Sequence, residues 1–129
     1  MTEAPSADSR TPSLPALDIT ALTRLERFGG KKLLREMIQL FQKAAPERIA
    51  SARAAVGTGD VPAAELALHS LKSSSAQLGA VRLGRLSEEG EILTRAGTLD
   101  GVDEIVRQLE DELVRVQEWL ETILQRDAQ

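Results

Sequence analysis

Residues 60–96 read DVPAAELALHSLKSSSAQLGAVRLGRLSEEGEILTRA, and the spacing of their apolar side chains decides the fold. Val61, Ala64, Leu68, Leu71, Ser75 and Leu78 recur every three or four residues, which lays them along one side of a helix. Asp60 stands where a capping residue belongs. Pro62 is tolerated in a first turn, because its missing N–H has no intrahelical partner there. Gly79 breaks this helix. A second helical run covers residues 81–96, with Leu83, Leu86 and Leu93 facing inward. Two amphipathic helices joined by so short a turn must fold back on each other.

The same period extends outward in both directions. Upstream, residues 31–56 carry Leu34, Ile38, Phe41, Ala45, Ile49, Ala52 and Val56 in one stripe. Pro46 lies inside that stripe and predicts a kink, or a division into two shorter helices. A short helix over residues 18–28 precedes it, capped by Asp18, with Leu22 and Leu25 on one face and Gly29-Gly30 as its end. Downstream, residues 102–126 place Ile105, Leu109, Leu113, Val116, Leu120 and Ile123 together. No segment alternates with the period of two that a strand requires. The expected fold is therefore all-α: an antiparallel up-down four-helix bundle with a short extra N-terminal helix. Residues 1–13 are rich in Pro, Ser, Thr and Asp, lack periodicity and read as a flexible tail, leaving residues 14–127 for the bundle.

Composition narrows the function. At 129 residues the chain suits one domain, and 42% hydrophobic with 28% charged residues is the balance of a globular protein. Cysteine is absent, which removes disulfides and thiolate zinc sites and fits a cytoplasmic setting. No apolar run reaches the roughly 18 residues of a membrane span, and the start of the chain lacks the apolar core of a secretory signal. The net charge of −4, with both signs mixed, argues against a nucleic-acid partner.

The chain has one histidine, His69. It lies about 130° around the helix from the centre of the inward stripe, so it is expected to face solvent. Its neighbours on that face are Glu65, Leu66, Lys72, Ser73 and Ala76, and the small Ser73 and Ala76 leave room for a partner to approach. Spacing alone leaves two readings open: an ordinary surface residue, or an accessible nucleophile or base. No Cys–His pair, G-x-S-x-G elbow or glycine-rich phosphate loop accompanies it. A helical module that binds a partner without any phosphotransfer is the alternative these residues also allow.

Residues 67–91, ALHSLKSSSAQLGAVRLGRLSEEGE, resemble the signature of histidine-phosphotransfer domains. That signature runs His, any residue, Leu-Lys-Gly-Ser-Ser, an amide residue, then Gly-Ala and a Leu-rich helix. Leu17-Asp18, Phe28-Gly29-Gly30, Leu40-Phe41, Pro46 and Gly59-Asp60 extend the resemblance to about residues 17–124. It implies that His69 is the phospho-acceptor, most naturally through Nε2, with Lys72 neutralising phosphoryl oxygens. It implies that Glu91, twenty-two positions after His69, accepts a hydrogen bond from Nδ1, and that Arg95 faces the same site. Glu65, Leu66 and Ala76 would belong to the docking face. The partners implied are receiver domains of response regulators or hybrid histidine kinases. The resemblance implies a monomeric phosphoryl carrier, not an ATP-dependent kinase, with no cofactor or metal of its own. Three positions depart from the family pattern. Ser73 replaces the usual glycine, Gly90 replaces a larger apolar residue, and Ser87 stands where cysteine or another small residue is common.

Overall fold

The computed structural model describes residues 16–127, so the tail expected over residues 1–13 lies outside the described residues. Four helices follow in order: α1 (Ile19–Thr58), α2 (Val61–Leu78), α3 (Val81–Arg95) and α4 (Val102–Asp127). Helix α1 packs on α2 and α4, and α3 packs on the same two, so the bundle is a ring with no diagonal contact between α2 and α4. The side chains enclosed by that ring include Leu22, Ile38, Leu68, Leu83, Leu109 and Leu120, each 2% exposed or less.

Helix starts and stops follow from local chemistry. Asp18 accepts from the Thr20 backbone N–H, and Asp60 accepts from that of Ala63, satisfying donors that a first turn leaves orphaned. Gly79 ends α2 in the left-handed region, at φ 77°. Helix α3 has no side-chain cap, because Ala80 occupies the position. The Ala16 carbonyl does the work instead, accepting from Val81 and Arg82, while the Asp18 N–H donates to the Gly79 carbonyl at 2.7 Å. The segment before α1 is thereby fastened to the α2–α3 turn.

Two helices meet within α1. Residues 19–29 and 31–58 are helical on either side of a kink at Gly30, whose φ of 77° and ψ of −177° are non-helical. Pro46, by contrast, leaves residues 31–58 undivided. Its missing N–H frees the carbonyl of Gln42, four residues earlier, and Gln117 of α4 donates its side-chain amide to that oxygen at 3.2 Å. A neighbouring helix thus supplies the hydrogen bond that the proline removes.

Candidate functional site

His69 lies midway along α2, with its side chain 56% exposed. Leu68, beside it in sequence, is fully buried, so the backbone under the imidazole is anchored in the core. Across the helix pair, Glu91 of α3 is 1% exposed. It is buried there because α3 approaches α2 closely at Gly90, where an added Cβ would come within 2.8 Å of Leu68 Cδ1.

A carboxylate is buried at tolerable cost only if its charge is met. Glu91 is met from three directions. His69 Nδ1 lies 2.7 Å from Oε2, and Lys72 Nζ lies 2.7 Å from Oε1, an ion pair with a poor approach angle for a hydrogen bond. Arg95, one turn along α3, donates to Oε2 as well. Burial pushes the Glu91 carboxyl up. The contacts of Lys72 and His69, with the charges of Lys72 and Arg95, outweigh that and hold it below the usual carboxylate range. An ionised carboxylate only accepts, so Nδ1 is the ring's donor and Nε2 keeps its lone pair, on the exposed side.

Arg95 is also 3.6 Å from Glu65, one turn before His69 on α2. Pro62, Glu65, Leu66, His69, Glu91 and Arg95 line one shallow cleft. The structure therefore joins His69, Lys72, Glu91, Arg95 and Glu65 in one charged network. Leu66, 69% exposed, borders the cleft. Ser73 and Ala76 are exposed on the same side of α2 but stand outside that network and that cleft. Pro62 was not singled out from the sequence, although its position seven residues before His69 puts it on the same helical face. Among the described residues, no group of three or more His, Cys, Asp and Glu side chains is placed to hold a metal ion, and no helix is long and apolar enough to cross a membrane.

The tautomer is directly measurable. Nitrogen-15 NMR of the neutral form of the single imidazole is expected to show Nδ1 protonated and Nε2 bare. Glu91→Ala should move the population toward the Nε2–H form that predominates in free histidine. An unchanged tautomer balance in the variant would show that the two side chains do not meet.

Comparison with known proteins bears on the family and the fold. Residues 36–119 match the family model described as Hpt domain. The crystal structure of histidine-containing phosphotransfer protein B (HptB) from Pseudomonas aeruginosa PAO1 is similar over 88% of this chain and 98% of that one, at 30% identity and a TM-score of 0.83. The HPT domain from the Hpt Sensor Hybrid Histidine Kinase from Shewanella is similar in fold over 86% of this chain and 95% of that one, at 21% identity and a TM-score of 0.73. A comparison with curated proteins gave no match.

Proposed function

The chain belongs to the Hpt domain family, with a histidine-phosphotransfer role in a phosphorelay, and on that footing we propose that His69 is its phospho-acceptor. The observation that carries this is the His69–Glu91 contact. A buried, ionised carboxylate fixes the ring by Nδ1 and turns a lone pair toward solvent at Nε2.

The partner is a receiver domain of a response regulator or hybrid histidine kinase, carrying a phosphoryl group on an aspartate beside a divalent metal. The Nε2 lone pair attacks phosphorus in line, the phosphorus–oxygen bond to the aspartate breaks, and the carboxylate leaves with that electron pair. Nδ1 keeps its proton, so positive charge develops on the ring next to Glu91, which stabilises it as a triad carboxylate stabilises its imidazolium. Lys72 and Arg95 flank the ring and offset charge on the phosphoryl oxygens. Ser73 adds a small polar surface beside Lys72, while Glu65, Leu66 and Ala76 border the docking face. Transfer onward to a second aspartate reverses the same steps. The partner supplies the metal, so this chain works as a monomeric cytoplasmic carrier without ATP-dependent kinase activity of its own.

The test is to mix the chain with purified receiver domains bearing phospho-aspartate and follow the label. Transfer to this chain supports the reading. Failure across a broad panel would favour a binding module without phosphotransfer. Lys72→Ala is expected to slow transfer roughly tenfold without eliminating it, because one charge-assisted contact contributes about 1.5 kcal/mol. Single-turnover rates unchanged at both low and moderate salt would make Lys72 an ordinary solvated lysine.

A further inference from the structure

Arg95, the last residue of α3, is held by two carboxylates at once. Its Nη2 donates to Glu91 Oε2, the same oxygen that meets His69 Nδ1, so the guanidinium lies against the imidazole. Its Nε edge lies 3.6 Å from Glu65 of α2. Arg85–Glu88 and Arg107–Glu104 are ordinary i,i+3 pairs within one helix. Arg95–Glu65 instead joins two walls of the cleft that holds His69. Arg95 is 59% exposed and Glu65 37%, so this bridge contributes little to stability.

With a neutral ring the site is balanced, Lys72 and Arg95 against Glu65 and Glu91. The two carboxylates differ in what they touch. Glu91 is buried and meets His69, Lys72 and Arg95. Glu65 is only partly buried and reaches the site through Arg95. A phosphoryl group on Nε2 adds roughly two negative charges. It arrives one helical turn from Glu65, on the same face of α2, and its oxygens attract the same guanidinium. Glu65 and the phosphoryl group then compete for one cation.

We propose that Glu65 is a positioning residue, which holds Arg95 partly away from the phosphoryl oxygens and so keeps phospho-His69 disposed to discharge onto the next aspartate. The proposal rests on the reading of His69 as phospho-acceptor. A carrier that turned every nearby cation onto its phosphoryl group would accept it readily and release it poorly. Glu65 offsets that by lowering the stability of the phosphorylated state relative to the free one.

The experiment reads the equilibrium constant for phosphoryl transfer from a receiver domain to this chain. The receiver domain is phosphorylated with acetyl phosphate and Mg²⁺ and freed of the donor. The partition of label is measured before appreciable hydrolysis, at concentrations where the two proteins are mostly apart. An equilibrium between separate proteins does not depend on how well they dock, so a docking role for Glu65 would change the rate and leave this constant alone. Glu65→Gln is expected to raise it about threefold in favour of the phosphorylated chain, the size of an exposed ion-pair effect. Glu118→Gln, which removes the same charge from an exposed position on α4, should change it less than about 1.5-fold. In an Arg95→Gln background, Glu65→Gln should also change it less than about 1.5-fold, because no guanidinium is left to release. Circular dichroism establishes that each variant is helical. Glu91 keeps Lys72 and His69 when Arg95 is replaced, and the comparison of Glu65→Gln with Glu118→Gln needs no change at Arg95. A constant that is unchanged or lowered in Glu65→Gln, or raised equally in Glu118→Gln, would overturn the proposal. So would an equal shift with and without Arg95, which would make Glu65 a direct repulsive charge. The His69 reading is tested apart. Equal labelling of wild type and His69→Gln, or no labelling of wild type by any receiver domain, would overturn that reading and this one with it.

Discussion

His69→Gln is expected to abolish phosphoryl acceptance while leaving the bundle folded. Glutamine offers no lone pair of comparable nucleophilicity, and none of the other side chains around the cleft is an activated nucleophile. The structural cost should be small, within about 1 kcal/mol, because the imidazole is more than half exposed and its main bond is to Glu91. A glutamine amide retains a donor for that carboxylate. Labelling by a phosphorylated receiver and the urea midpoint, measured on the same preparation, check both halves. Residual labelling would remove His69 from the acceptor role. A collapse in stability would make it a structural histidine.

The largest expected effect on stability lies away from the site, at Gly79. An alanine there meets two penalties. The left-handed φ of 77° costs an L-residue about 1 kcal/mol. The new Cβ would also fall 2.1 Å from the Asp18 carbonyl oxygen, a backbone atom that cannot swing aside. Relief requires moving the segment that caps α3 and loosening the Asp18–Gly79 hydrogen bond, for a total of about 3 kcal/mol or more and a fall in Tm on the order of 10 °C. Gly59 provides the control. Its φ is 75°, yet an added Cβ meets nothing within 4 Å, so Gly59→Ala should cost only about 1 kcal/mol. Equal losses for the two variants, by urea denaturation, would show that the docking of residues 16–18 contributes nothing.

How far the sequence could be read depended on whether burial followed hydropathy. In α1 it did: Leu34, Ile38, Phe41, Ala45, Ile49 and Ala52 are buried at the expected spacing. In α2, Leu68 is buried and His69 is exposed, as the period requires. Helix α3 is less transparent. Its most buried line runs through Leu83, Ser87, Gly90, Glu91 and Thr94, while the expected Leu86 and Leu93 pack at the margin. Small residues bring the backbones together there, and a hydropathy pattern does not register close approach. Burial of Glu91 is harder still to foresee, because it depends on donors from α2 that meet it only in the folded bundle. Glu112 of α4 is a second case, buried with Arg115 at 3.1 Å and Arg82 at 3.9 Å. The motif could place His69, Lys72, Glu91 and Arg95 in one site, but not the link from Arg95 to Glu65, which joins two helices by their surface chemistry alone.

The central claim is that the fixed imidazole accepts phosphorus at Nε2. The most direct measurement is phosphorus-coupled nitrogen NMR of the nitrogen-15-labelled chain after phosphorylation by a receiver domain. With one histidine in the sequence, only one ring contributes signals. The account predicts phosphorus coupled to Nε2 of His69, with Nδ1 still directed at Glu91. Phosphorus bonded to Nδ1, or an acid-stable phosphate on a serine, would contradict it.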